Sequence, residues 1–202
     1  MNSRVHCRPY GPTAWIVEDV DDPAAWANGL RRLAGEGIVD VVPAESTVLV
    51  VSEPAAAGRV ARLLEQVTPE PPHADHEDEL TIDVSYDGVD LESVATATGL
   101  GVDEVVERHR AGVYTVAFCG FSPGFAYLTG LDPMLHLPRR EVPRTTVPQG
   151  SVAIAAGYGA VYPSTSPGGW HLLGSTAVTL WDPDSDPPAV LRPGRTVRFR
   201  SR

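Results

Sequence analysis

A chain of 202 residues with 43% apolar and 21% charged side chains has the make-up of a soluble globular protein, long enough for one larger domain or two small ones. Its net charge of −10 argues against a nucleic-acid binder, which needs a basic face to neutralise phosphates. All sixteen basic residues are arginine, and the missing lysine excludes a Schiff base, a P-loop lysine and any attachment of biotin or lipoate to this chain.

Cys7 and Cys119 lie far apart in no metal-ligand spacing. The stretch from Met1 to Ile16 lacks the apolar core of a signal peptide, and no apolar run is long enough to span a bilayer. A reducing cytoplasm is the expected setting. Cys119 sits in an apolar run and reads as a small buried hydrophobe rather than a nucleophile.

Along the chain, Ala14–Val17 is a short apolar strand closed by the acidic turn at 18–22. Asp22 followed by Pro23 marks a helix start, and Ala24, Trp26, Leu30 and Leu33 form its apolar stripe down to Gly35. Ile38–Pro43 and Thr47–Val51 are strands joined by a tight turn. Val60, Leu63, Leu64 and Val67 then give a helical period over 56–67. This strand–helix–strand–strand–helix order predicts an α+β unit arranged as a ferredoxin-like α/β plait. Thr68–Glu79 is Pro-rich, charged and without period, so the chain is expected to divide into domains at 1–78 and 79–202. His73 and His76 within it are read as part of a solvated acidic linker rather than as metal ligands, because no rigid element fixes them.

Beyond the linker, Leu80–Tyr86 alternates as a strand and Asp87-Gly88 supplies a turn. Helices are expected over Leu91–Thr98 and Asp103–His109, separated by Gly99-Leu100-Gly101. Too few basic residues line the second for DNA, so the pair reads as a packing element. Strands are expected at Tyr114–Cys119, Ser151–Ala155, Ala160–Tyr162, Ala177–Trp181 and Val197–Arg200. Short strands between Gly/Pro turns predict a closed barrel or a sandwich.

Function is expected in the loops. Gly120-Phe121-Ser122-Pro123-Gly124-Phe125, Pro143-Arg144, Val147-Pro148-Gln149-Gly150-Ser151 and Ser166-Pro167-Gly168-Gly169-Trp170 set Pro against Gly beside aromatic residues. Such loops are rigid and present backbone N–H groups. Arg144, based on Pro143, has a fork suited to a carboxylate or phosphate, with a structural salt bridge to nearby Glu141 as the competing reading. Gly150-Ser151 and Gly168-Gly169 are possible anion cradles or simply turns. Ser151 and His171 complete the candidate catalytic groups. No Gly-x-Ser-x-Gly elbow surrounds Ser151, which excludes a hydrolase of that type. Phe121, Phe125, Tyr127 and Trp170 suit a pocket wall, a partner interface or barrel packing. Pro123, Gly124, Pro148, Tyr162 and Pro167 complete the expected substrate-binding set.

From Tyr86 to Phe199 the ordered motifs extend further. They include Leu91-Glu92-x-Val94-Ala95, His109, Gly130-Leu-Asp-Pro133, Pro138-Arg139-Arg140, Val161-Tyr162-Pro163 and Leu191-x-Pro-Gly194. With the loops above, they resemble the allophanate hydrolase subunit 1 family, which includes the B subunit of 5-oxoprolinase and the Kip inhibitor of a sensor histidine kinase. The chain departs from that pattern in a shorter turn after Tyr86 and in the loop Ala155–Gly159. The resemblance implies a cyclophilin-like β-barrel at the C-terminus. It implies a cytoplasmic, hetero-oligomeric hydrolase component that is inactive alone and converts 5-oxoproline to glutamate at the expense of ATP. Its implied partners are the A and C subunits of 5-oxoprolinase, the latter an allophanate hydrolase subunit 2-like protein. No nucleotide motif is present, so ATP is expected at a shared interface or on a partner. Kinase inhibition, or a carboxyltransferase role in urea metabolism, are the alternatives the same family implies.

Overall fold

The computed structural model describes residues 6–64, 66–70 and 79–202. The described residues form two compact units, one before and one after residues 71–78. Most of the expected linker, with His73 and His76, lies outside the described residues.

The first unit is a four-stranded antiparallel sheet with two helices. Its elements are β1 (His6–Pro9), β2 (Ala14–Glu18), α1 (Pro23–Arg31), β3 (Ile38–Pro43), β4 (Val48–Ser52) and α2 (Ala57–Leu64). The α1 start follows from local chemistry: Asp22 accepts the Ala25 N–H at 2.9 Å, and Pro23 has no N–H to leave unpaired. Alternation in β4 turns Val48 and Val50 inward, against Trp26 and Leu30 of α1 and Val60 and Leu64 of α2. The strand order is β1-β2-β4-β3. The expected plait is therefore not reproduced in full. The strand flanking β2 comes from the N-terminal side, through β1, instead of following α2. Pattern reading missed β1 because His6-Cys7-Arg8-Pro9 carries no apolar alternation.

The second unit comprises β5 (Leu80–Val84), α3 (Leu91–Thr98), α4 (Val102–Ala111), β6 (Tyr114–Cys119), β7 (Ala126–Thr129), β8 (Arg144–Val147), β9 (Ser151–Ala155), β10 (Tyr158–Val161), β11 (Ser166–Gly168), β12 (His171–Ser175) and β13 (Thr196–Ser201). Seven strands run in the order β12-β9-β10-β7-β6-β13-β5, antiparallel except for the β13–β5 pair. Ser85 and Ser175 then exchange two backbone hydrogen bonds of 2.8 Å, joining the ends of the sheet into a nearly closed barrel.

Strand β9 is buried on both faces, and alternation explains how. Val152 and Ile154 point into the barrel with Val116, Leu128, Val161 and Leu173. Ala153 and Ala155 face outward, under a second cluster of Phe125, Val147, Tyr162, Trp170 and Leu172. The two-stranded β8–β11 sheet carries Val147 of that layer. Helices α3 and α4 add Val94 and Val105 to the barrel core. Ala177–Trp181 is not a strand, contrary to its apolar pattern. It makes one isolated bridge, Trp181 with Ala189, while Leu180 is drawn into the core.

Among the buried residues His109 stands apart. It is fully enclosed, its Nδ1 lies 2.8 Å from the Tyr86 hydroxyl, and the Phe199 ring is 4.6 Å away. Burial pushes its pKa down to about 3, so the folded ring stays neutral. The unfolded chain protonates the same group near pH ~6.5. Between those values the unfolded state binds more protons, so stability falls as pH drops below about 6.5. Thermal unfolding from pH 7 to 4 should show this slope before the carboxylates titrate. His109→Phe should flatten it, and an unchanged slope would remove His109 as its source.

Candidate functional site

The site is organised by a turn between β5 and α3. Gly88 donates its N–H to the Leu173 carbonyl at 3.1 Å. An added Cβ there would overlap the Leu172 carbonyl, so only glycine lets the turn lie against β12. Asp90 follows, donating its N–H to the Leu172 carbonyl at 3.1 Å and accepting the Leu172 N–H on Oδ2 at 2.7 Å. Its Oδ1 accepts Arg140 Nη1 at 2.9 Å and Arg144 Nη2 at 2.8 Å. Asp90 precedes α3 but its carboxylate does not cap the helix. Burial alone would raise the Asp90 carboxyl. The Arg144 hydrogen bond, the Leu172 N–H and the two arginine charges outweigh that and hold it below the ordinary value. Stripping both cations would strand a buried carboxylate, at a cost of about 3–5 kcal/mol.

Arg144 opens β8 opposite Gly168 of β11. Its partner is Asp90, whereas the competing reading of the sequence paired it with Glu141. Arg140 is tied to the same place, its N–H donating to the Gly169 carbonyl at 2.8 Å. His171 lies between Trp170 and Leu172, and its Nε2–H donates to the Pro138 carbonyl at 2.9 Å. In the neutral ring that leaves Nδ1 as an acceptor, and Nδ1 is buried with no hydrogen-bond partner among the described residues. The structure thus brings Arg144, His171, Gly168 and Gly169 together, and adds Asp90 and Arg140.

An aromatic layer lies on the outer face of the barrel. Phe125 is edge-to-face with Tyr162 and Trp170 at 5.3 and 5.7 Å, and Tyr127 lies 5.6 Å from Trp170 and is stacked on Phe118 at 4.3 Å. Tyr162 is buried, which raises its pKa despite the Arg139 charge and the Trp170 N–H, so it remains a protonated phenol. A Cβ on Gly168 would overlap that hydroxyl, which explains the glycine. Phe121 is different. It is 62% exposed and held at φ 72°, a left-handed conformation costly for an aromatic residue, in the turn that Gly124 closes at φ 79°.

A model described as carboxyltransferase domain, subdomain C and D, matches residues 5–191. The chain belongs to that family. Within it, the chain is 38% identical over 215 residues to the B subunit of 5-oxoprolinase from Escherichia coli O157:H7, covering 97% of this chain and 95% of that protein. The crystal structure of TTHA0988 superposes with a TM-score of 0.78 at 35% identity, covering 98% of this chain. This chain spans only 40% of the length of TTHA0988. K. lactis urea amidolyase superposes with a TM-score of 0.71 at 18% identity, over 98% of this chain and 15% of its own. That last likeness is one of fold alone.

In this carboxyltransferase-type scaffold, two expected features take another part. The Gly150-Ser151 cradle has no free donors to offer: Gly150 gives its N–H to the Tyr162 carbonyl at 2.8 Å, and Ser151 gives its own to Pro148 at 3.3 Å. The Ser151 hydroxyl also donates to the Pro148 carbonyl, at 2.8 Å, so it fastens a turn instead of facing a base. Pro123 and Pro167 lie in the Phe121 turn and in β11, as elements of backbone shape. Asp90 escaped sequence reading because it lies 54 residues from Arg144 and looks like an ordinary residue before a helix. Its advance signal was a carboxylate two residues after Gly88, set between the apolar Val89 and Leu91. Among the described residues no three His, Cys, Asp or Glu side chains are grouped for a metal, and no helix is long and apolar enough to cross a membrane.

Ser151→Ala should lower stability by about 1 kcal/mol, the worth of one hydrogen bond. Turnover of the assembled protein should stay within twofold of wild type. A loss of a thousandfold at unchanged stability would return Ser151 to the chemistry.

Proposed function

We propose that this chain is the B subunit of a 5-oxoprolinase, converting 5-oxoproline to glutamate with ATP hydrolysed, together with the A and C subunits. The observation that carries this reading is the 38% identity to a protein of that name across nearly the whole of both chains. The chemistry fits the residues. Opening a stable lactam needs its amide oxygen activated and the charge that develops there stabilised, which fixed cations and N–H donors can supply. In this chain the clamped Arg144 is a fixed cation able to orient an anionic group of the substrate, His171 Nδ1 is an acceptor for a proton, and the aromatic layer offers an apolar wall beside them.

ATP is assigned to a partner or to a shared interface. The chain has no lysine, and the N–H groups of its Gly150 turn are consumed internally, so no phosphate cradle is built from these residues. No step through ATP is therefore ascribed to this chain. A reaction fed by ATP sets the protein in the cytoplasm. A carboxyltransferase role is the second reading, favoured by the carboxyltransferase-domain family model that matches residues 5–191, and in that case biotin would arrive on another protein.

Reconstitution discriminates between the two. ATP hydrolysis dependent on 5-oxoproline should appear when this chain is combined with the A and C subunits, and vanish when any one is omitted. A stable assembly without such turnover would sink the 5-oxoprolinase reading and favour carboxyl transfer.

A further inference from the structure

The charges of the clamp do not balance. Arg140 and Arg144 bring two positive charges to the single carboxylate of Asp90. The carboxylate sits at the back, its side chain 4% exposed, while the arginine side chains keep 31% and 24% open. The surplus positive charge therefore faces outward. Asp90 has little more to give, since Oδ1 accepts both arginines and Oδ2 accepts the Leu172 N–H. Arg140 Nε and Arg144 Nη1 find no acceptor among the described residues. Donors left unpaired on a partly desolvated cation are costly, and an incoming anion relieves that cost.

We propose that Arg140 and Arg144, braced from behind by Asp90, form a subsite for the carboxylate of a small-molecule substrate. Arg140 thereby joins Arg144 as a specificity-determining residue. One surplus positive charge matches one carboxylate, whereas a phosphate dianion would bring a second, uncompensated charge. The guanidinium fork presents paired donors in the plane a carboxylate requires. Both bases are fixed: Arg144 by strand β8, Arg140 by its backbone bond to Gly169. The class of ligand follows from this geometry. Its identity as the carboxylate of 5-oxoproline rests on the function proposed above.

The imbalance makes the test clean. Arg140→Met or Arg144→Met removes one charge, keeps the stem, and leaves Asp90 in a balanced pair with the other arginine, so each variant should fold. Calorimetry on the complex with its partner proteins would compare 5-oxoproline with 2-pyrrolidinone, the same ring without the carboxylate. Wild type should bind 5-oxoproline the more tightly, and each Met variant should lose roughly 10- to 100-fold of that affinity while its binding of 2-pyrrolidinone is unmoved. Arg140→Lys, which restores charge without the fork, should recover part of the loss.

Unchanged 5-oxoproline affinity in both folded Met variants would overturn the subsite. Inorganic phosphate held more tightly than acetate by the same two arginines would overturn its assignment to a carboxylate. Acetate bound through these arginines by the full chain, with 5-oxoproline neither bound nor turned over by the complex, would support the subsite and remove the 5-oxoprolinase reading instead.

Discussion

A buried carboxylate shared by two guanidinium groups holds the candidate site on this barrel together. Asp90 is bonded to β12 through both backbone and side chain, and it draws in Arg140 and Arg144 from a separate stretch of chain. Each contact is a charge-assisted or backbone hydrogen bond in a partly desolvated place, where such bonds are strong and their loss is expensive. The loop 138–144, the β8–β11 ribbon and the start of α3 are thus held by one group. Because Asp90 sits behind the arginines, the clamp orients the cations outward instead of cancelling them.

The barrel supplies what the clamp needs. Alternation along β9 sends Val152 and Ile154 inward and Ala153 and Ala155 outward, and Ala160 of β10 joins the alanines, so a second layer can settle on the outer face. Aromatic rings fill that layer at edge-to-face distances, and glycines at 88 and 168 permit approaches that a Cβ would block. The strained, exposed Phe121 marks the rim of this face. Conformational strain at a solvent-facing aromatic residue is a feature of sites that meet another molecule.

Much of the fold was legible in residues alone. The Asp22-Pro23 helix start, the strand at Tyr114–Cys119 and the helix at Leu91–Thr98 follow from local chemistry and appear where local chemistry puts them. What stayed hidden depends on distant pairing. Strands β7, β11 and β12 are short and carry glycine or polar residues, so only their neighbours define them. Ala177–Trp181 shows the reverse, with good strand composition but no strand partner beyond one bridge. At the site, Arg144 announced itself through Pro143, yet the one counter-ion the sequence could offer was Glu141, because sequence shows only near neighbours. Ser151 looked reactive in isolation and is spent on the Pro148 carbonyl.

The seam of the barrel links these observations to motion. Ring closure rests on the bridge between Ser85 and Ser175 together with the bonds that Gly88 and Asp90 make to β12, so opening the ring must part all of them. Ser85 leads through the Gly88 turn directly into Asp90, and Ser175 ends the strand that holds Leu172. A fluctuation that parts the seam therefore pulls at the hydrogen bonds between Asp90 and Leu172 as well. The arginine clamp is in this sense a latch on the barrel, and whatever settles on the arginines shuts the ring more firmly by mass action.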